Sequence, residues 1–203
     1  MLMRRKKTIK MCRTSAIVLT LLSGGTRAAQ AADSPPEIPS VVLSKQHEAL
    51  CKVKVGDALP AIELPRLDNG RPERLSRMLG QRATVVVFWT PDRRMALQQI
   101  TDLTPDVIEP FAEQGVAVVG IAVNKPASRA QAALKKAGAA FPNLLDADGR
   151  AFAAVGSERL PRTYLVDPQG KVLWFDIEYS HATRRELRQA LQAVVGEPAS
   201  AGG

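Results

Sequence analysis

The pattern of hydrophobic and polar positions contains two long apolar runs that predict buried strands. Residues 84–89 read Thr-Val-Val-Val-Phe-Trp, and residues 116–123 read Val-Ala-Val-Val-Gly-Ile-Ala-Val. Runs of this kind, with no charged residue, are typical of central strands covered on both faces. The two runs therefore predict two parallel strands in the middle of a sheet.

A helical pattern fills the segment between these runs. Apolar residues recur three or four positions apart, at Leu97, Ile100, Leu103, Val107 and Phe111. This spacing predicts a helix over residues 93–114. The dipeptide Thr104-Pro105 predicts a break or restart inside the helix, and Pro110 predicts a kink. A second helix is predicted over residues 128–136, with Gly138 as its stop.

The last third of the chain has the pattern of a strand hairpin followed by a helix. Residues 163–166 and 171–175 are apolar and flank the turn Asp-Pro-Gln-Gly, which predicts two antiparallel strands. Thr183 and Glu186 form a capping-box pattern at the start of the last helix. Shorter elements are predicted at 61–64, 75–79, 141–145 and 151–155. This order predicts an α/β fold whose mixed sheet carries helices on both faces.

The corner after the first apolar run is the predicted binding site. Thr90-Pro91-Asp92 ends the strand, because proline cannot donate a hydrogen bond to the sheet. Asp92 is the expected N-cap of the next helix, with Arg93 as its first residue. Open α/β sheets bind ligands at such strand ends and helix N-termini. Arg93 and Arg94 allow two interpretations, a joint anion site or two solvated side chains, and the second is favoured.

Composition divides the chain into an export signal, a leader, one domain and a tail. Residues 1–31 hold seven of the 28 Lys and Arg residues, none of the 20 Asp and Glu residues and a short apolar stretch at 16–22. This pattern predicts a signal peptide, with an uncleaved anchor as the less favoured alternative. The remaining chain carries 21 basic and 20 acidic residues, so its charge gives no reason to expect nucleic-acid or membrane binding. After signal cleavage the protein is expected in the periplasm or outside the cell.

The predicted domain spans residues 55–196. Residues 32–54, rich in proline and serine at their start, predict a flexible leader, and residues 197–203 predict a loose tail. Within the mature chain Cys51 is the only cysteine, because Cys12 belongs to the signal. Cys51 is interpreted either as a redox thiol or as a small, partly buried residue, and the second is favoured. No cofactor is expected, and the separated His47 and His181 make a metal site improbable.

Four segments, in this order, resemble the thioredoxin-like redoxins, namely the TlpA-type thiol–disulfide oxidoreductases and, more distantly, the AhpC/TSA peroxiredoxins. They are the entry segment 55–64, the strand end Phe88-Trp89-Thr90, the second strand 115–123 and the segment 160–171. The resemblance implies a thioredoxin-like fold and thiol–disulfide chemistry. It also implies that Pro161 is a cis-proline that faces the active site, where it persists as a structural feature or as a ledge for a peptide.

The sequence departs from the family at the residues that carry its chemistry. The family has a Trp-Cys-x-x-Cys motif after this strand end. Read without gaps from Phe88, the two cysteine positions hold Arg93 and Ala96, and a commonly acidic position holds Gln99. A peroxiredoxin register places the Thr and Cys positions on Arg94 and Leu97. No register supplies the thiolate that attacks a disulfide.

Two hypotheses follow from the resemblance and its departure. The first is a redox-silent binding or scaffold module that binds an extended peptide, another exported protein or an anion. Its predicted groove is formed by Trp89, Thr90, Asp92, Arg93, Arg94, Leu160 and Pro161. The second is an oxidoreductase that uses Cys51 with an external thiol partner. An assay of insulin reduction and peroxide consumption, with Cys51→Ser as control, separates them.

Overall fold

The computed structural model describes residues 37–196. The predicted signal peptide, the first residues of the leader and the predicted tail lie outside the described residues. Within residues 37–196, no helix is both long enough and apolar enough to cross a membrane.

The sheet confirms the predicted mixed architecture. A small antiparallel hairpin, β1 (Glu63–Pro65) and β2 (Pro72–Arg74), precedes the five strands of the central sheet. These are β3 (Ala83–Trp89), β4 (Val116–Val123), β5 (Asn143–Asp146), β6 (Arg162–Val166) and β7 (Val172–Asp176). Their spatial order is β5-β4-β3-β6-β7. The strands β3, β4 and β5 run parallel, whereas β6 is antiparallel to both β3 and β7.

Within residues 37–196, the α-helical segments around these strands are α1 (Lys45–Glu48), α2 (Arg94–Leu103), α3 (Glu109–Phe111), α4 (Ala127–Ala137), α5 (Arg150–Val155) and α6 (His181–Gly196). Short 3₁₀ turns occupy Leu75–Arg77 and Ala112–Gln114, and a π-helical turn, Thr104–Ile108, joins α2 to α3. The π turn lies at the predicted break, because Pro105 has no N–H for the helix ladder.

Burial on both faces explains the two apolar runs. All seven residues of β3 are buried. Val85, Val87 and Trp89 belong to an apolar cluster with residues of α2, α4 and α6. Val86 and Phe88 belong to the opposite cluster, with residues of α5 and the N-terminal segment. Alternate residues of a strand point to opposite faces, so β3 is apolar throughout because helices or chain segments cover both sides.

The start of α6 corrects one prediction. The helix begins at His181, two residues before the predicted box at Thr183 and Glu186. The Ser180 N–H donates to Thr183 Oγ1, and the Thr183 N–H donates to Ser180 Oγ, both at 3.2 Å. The reciprocal cap therefore lies one turn earlier than predicted. Thr183 is nearly fully buried and donates its hydroxyl to Asp176 at 2.7 Å, so it is held too deeply to cap the next turn.

The end of the predicted leader packs against the domain. Cys51 and Val53 are buried in the cluster that also contains Phe88. Cys51 forms an isolated β-bridge with Gly156, and the Lys52 N–H donates to Val155 O at 3.0 Å. These contacts anchor residues 51–53 to the end of α5, and the domain boundary at residue 55 stays a prediction.

Candidate functional site

The strand β3 delivers its last residues to a rigid corner. Trp89 is fully buried and its indole N–H donates to Asn143 Oδ1 at 2.9 Å. Asn143 in turn donates to Phe141 O at 3.0 Å. A Cβ at Gly120 would lie 2.0 Å from Asn143 Oδ1, so the strand must have glycine there. Trp89, predicted to line the groove, therefore acts as a buried support behind the corner.

The N-terminus of α2 differs from the prediction in one residue. Arg93, and not Asp92, is the N-cap, and its side chain makes no capping hydrogen bond. The Asp92 carboxylate instead pairs with Lys125 Nζ at 2.6 Å and with Arg129 Nη2 at 2.8 Å. The hydrogen bond from Lys125, helped by the charge of Arg129, holds the pKa of Asp92 below its ordinary value. Two contacts with cations outweigh a single hydrogen bond from a backbone N–H.

The two positions expected to hold cysteines differ sharply in exposure. Arg93 is exposed at the helix start, whereas Ala96 is fully buried in the cluster beneath α2. Gln99, at the position that is commonly acidic, is also buried and donates through Nε2 to Thr163 Oγ1 at 2.6 Å. None of these three side chains can act as a redox nucleophile.

A cavity of about 250 Å³ lies beside this helix start, and we call it the corner groove. Arg93 and Met95 form one wall. Leu160 and Pro161 form part of the other, and the peptide bond between them is cis, as the resemblance implied. Tyr179 also lines the corner groove. The corner groove therefore combines a few apolar side chains with several charged ones.

The rim of the corner groove carries balanced charge. Arg93 and Arg159 contribute positive charge, and Glu158 and Glu178 contribute negative charge. Arg159 and Glu178 form an ion pair. Glu158 has a left-handed backbone with φ of 61°, and the next N–H, that of Arg159, donates back to Ser157 O at 2.8 Å. A residue other than glycine in the left-handed backbone conformation costs roughly 1–2 kcal/mol. The loop that carries Glu158 on this rim is therefore strained.

The two adjacent arginines point to different cavities. Arg93 lines the corner groove, whereas Arg94 lines a separate cavity between α2 and α4. The joint anion site suggested for them stays a prediction, and this divergence gives it no support.

A polar cluster holds Tyr179 in the wall of the corner groove. Its hydroxyl donates to Asp102 Oδ2 at 2.6 Å. Burial, and then this hydrogen bond to Asp102, raise the pKa of Tyr179 far above its ordinary value. Arg184 extends the cluster from α6, pairing with Asp106 at 2.7 Å and approaching Asp102 at 3.5 Å. The phenol is therefore neutral at physiological pH and fixed in place.

Cys51 lies on the opposite face of the sheet from α2. Its side chain is 9% exposed, and its thiol donates to His47 O at 3.3 Å. Burial raises the pKa of the Cys51 thiol, although the nearby Arg162 opposes the shift. A raised pKa leaves less thiolate at neutral pH and lowers reactivity. Among residues 37–196 no group of three or more His, Cys, Asp or Glu side chains could hold a metal ion.

Arg162, directly after the cis-proline, is a feature that the sequence did not reveal. Its guanidinium is fully buried and donates to the carbonyls of Val155, Leu50 and Ser157 at 3.3, 3.2 and 3.1 Å. It also lies 5.6 Å from the ring centre of Phe152. The sequence around Arg162 shows only a charged residue beside apolar strand positions. It gives no sign that Arg162 binds the carbonyl of Leu50, which is 112 positions away. Arg162 thus joins the leader and the end of α5 to the corner.

The parallel strands, the helix start at a strand end and the facing cis-proline define a thioredoxin-like redoxin. A model of the AhpC/TSA family matches residues 55–175. The chain belongs to this family.

Comparisons with individual proteins agree. The chain is 26% identical over 144 residues to the thiol-disulfide oxidoreductase ResA of Geobacillus thermodenitrificans, covering 70% of this chain and 79% of that protein. The structure of a candidate thiol:disulfide interchange protein DsbE from Chlorobium tepidum matches with a TM-score of 0.65 and 23% identity, covering 71% of this chain and 100% of that one. A candidate protein disulfide isomerase from Bacteroides thetaiotaomicron matches with a TM-score of 0.66 and 20% identity, covering 72% and 93%. The last two similarities support the fold alone.

Proposed function

We propose that this protein is an exported, redox-silent member of its family that works as a binding or scaffold module. The observation that carries the proposal is the composition of the helix start, where Arg93 is exposed and Ala96 is buried. Thiol–disulfide exchange needs a thiolate to attack and a second sulfur to resolve the mixed disulfide. An arginine and an alanine supply neither, although the groove beside them is intact.

Export is the second part of the proposal. It is supported by the basic, then apolar, then small-residue pattern of residues 1–31, which precedes the domain. The nearly balanced charge of the remaining chain fits a protein that is free of nucleic acid.

The proposed ligand is an extended segment of another exported protein, with both apolar and polar side chains, bound in the corner groove. Met95 is 39% exposed, which is unusual for a large apolar side chain in this domain, and it lines the groove opposite Leu160. The balanced charges on the rim favour a polypeptide over a small anion. An extended peptide can also use the backbone next to Pro161 for hydrogen bonds.

An oxidoreductase that uses Cys51 is the alternative. A cavity of about 390 Å³ borders Cys51, so a small reactant has a path towards the sulfur. Against this stand the burial of the thiol and its raised pKa. The position of Cys51, behind the sheet, also separates it from the corner groove.

One pair of assays decides between the two functions. The protein without residues 1–31, and its Cys51→Ser variant, are tested for insulin reduction by dithiothreitol and for peroxide consumption. We expect no turnover above background from either protein. Turnover by the wild type that disappears in Cys51→Ser would establish the alternative.

Binding in the corner groove is tested separately with S-carboxymethylated insulin B chain, an unfolded peptide that has no free thiol. We expect amide chemical-shift changes at Met95 and Leu160, and their loss in Met95→Asp. The matched control is Val42→Asp, since Val42 is 88% exposed and lines the cavity near Cys51 instead. Equal weakening by both variants, or no shift changes in the wild type, would contradict the assignment of the groove.

A further inference from the structure

A second groove lies between α2 and α4, on the surface next to the corner. It has a volume of about 440 Å³. Leu97 contributes from α2, and Ala132, Ala133 and Ala137 contribute from α4. Alanine side chains leave room for another backbone to approach closely. We call this surface the α2/α4 groove.

The α2/α4 groove is bordered by positive charge. Arg94, Arg129 and Lys136 line it, and none of the residues found to line it in the described part of the chain is acidic. Arg129 shares Asp92 with Lys125, so two cations compete for one carboxylate. Within residues 37–196, Arg94 and Lys136 form no ion pair with a carboxylate. The excess is local, because the chain beyond residue 31 is close to neutral.

The cations stand at both ends of the groove. The strands β3 and β4 are parallel, and the Asp92–Arg129 pair brings the starts of α2 and α4 together. Arg94 and Arg129 therefore mark the N-terminal end, whereas Lys136 lies in the last turn of α4. Arg129 and Lys136 are seven positions apart, which is about 10 Å along a helix.

We propose that the α2/α4 groove docks an acidic amphipathic helix of a partner protein. The two walls are helices, whose backbone groups are already paired, so an extended strand would find no edge to join. A helix can place small and medium apolar side chains on Leu97 and the alanines. Carboxylates two turns apart, at positions i and i+7, match the spacing of Arg129 and Lys136, and apolar residues at i+3 and i+4 lie between them. This surface is separate from the corner groove, so the proposal does not depend on the function assigned there.

The test uses a fluorescein-labelled peptide of about 15 residues, with Glu at i and i+7 and Leu at i+3 and i+4 on an alanine-rich background. Fluorescence anisotropy measures its binding to the chain without residues 1–31, and amide shift changes locate the site. We expect saturable binding with shifts at Leu97 and Ala133. Lys136→Glu should weaken binding roughly 3- to 10-fold, and Ala132→Trp, at an exposed position that fills the groove, should abolish it.

Lys135→Glu is the matched control, since Lys135 makes the same charge change one position away and does not line the groove. It should bind the peptide as tightly as the wild type does. A peptide with both Glu replaced by Lys should not bind. Equal weakening by Lys135→Glu and Lys136→Glu would show non-specific charge attraction and overturn the proposal. Absence of peptide binding, or binding to phosphatidylglycerol vesicles in its place, would also overturn it.

Discussion

At the scale of single residues, the buried Arg162 shows how this chain satisfies a charge without a carboxylate. Its three carbonyl partners belong to the leader, to the end of α5 and to the following loop. The Val155 carbonyl lies at the C-terminus of α5, where a cation is favoured by the helix dipole. Within residues 37–196 no acidic side chain pairs with Arg162. The guanidinium therefore depends on exact placement of backbone oxygens, and small changes around it should be costly.

Gly156→Ala tests this dependence. A Cβ at position 156 would lie 1.9 Å from Arg162 Nη1 and 2.6 Å from Leu50 O. Because both neighbours are held by other contacts, we expect the free energy of unfolding to fall by about 1–3 kcal/mol, measured by urea denaturation. Gly196→Ala is the control, since no heavy atom lies within 4 Å of its added Cβ. Equal effects of the two substitutions would mean that Arg162 moves aside without cost.

At the scale of secondary-structure elements, the start of α6 is held by hydrogen bonds that join Thr183 to Ser180 and to Asp176. Thr183 accepts from Ser180 and donates to Asp176 at the end of β7. Thr183→Val keeps the shape and removes both hydrogen bonds, leaving buried groups unpaired. We expect a loss of about 1–3 kcal/mol in the free energy of unfolding. Thr101→Val, at an exposed helix position, should change it by less than about 0.5 kcal/mol; a similar loss in both would contradict the role of the cap.

Asp176 makes the same cap sensitive to pH. Burial raises the pKa of Asp176 above its ordinary value of 3.8, and the hydrogen bond from Thr183 only partly opposes this. The unfolded chain therefore loses the proton first, and this group lowers the stability of the fold as pH rises above 3.8 towards its folded pKa. Asp176→Asn has no such proton to lose. We expect the stability of the variant, relative to wild type, to be higher at pH 7 than at pH 4.

The control for this pH dependence has the opposite sign. The pKa of Asp92 is lowered, first by the hydrogen bond from Lys125, so its contribution to stability is lost as pH falls through the folded pKa. Asp92→Asn should therefore lose stability relative to wild type as pH rises from 3 to 6. Chemical denaturation at each pH measures both variants. Parallel trends in the two variants would show that global charge, and not these two sites, governs the pH dependence.

The elements that the sequence predicted well are those whose signal is local. The strand β4 matches its predicted bounds of 116–123, because an apolar run bounded by Gly115 leaves few alternatives. The N-cap of α2 was predicted wrongly, because the contacts that hold Asp92 come from Lys125 and Arg129, about 35 positions away. The separation of Arg93 from Arg94, and the burial of Arg162, also arise only when distant segments meet. Helix and strand propensities describe only local preferences, so they could not predict any of these contacts.

At the scale of the whole molecule, the two candidate sites for sulfur chemistry lie on opposite faces of one sheet. The start of α2 packs on the cluster that contains Ala96, and Cys51 packs on the cluster that contains Phe88. A thiol on the far face cannot replace one at the helix start, because the central sheet lies between them. The start of α2 and the Cys51 thiol can therefore be tested by separate substitutions.

Restoring the two sulfurs tests whether the scaffold is otherwise intact. We expect Arg93→Cys with Ala96→Cys, made in a Cys51→Ser background, to form a disulfide and to reduce insulin. The thiol at position 93 would stand at an exposed N-cap, where free N–H groups lower a thiol pKa, and the thiol at position 96 would be shielded. Arg94→Cys with Leu97→Cys has the same spacing one residue later and should gain much less activity. If the first pair stays unreactive towards oxidant, or both pairs behave alike, the register that places Arg93 and Ala96 on the family's cysteines is wrong.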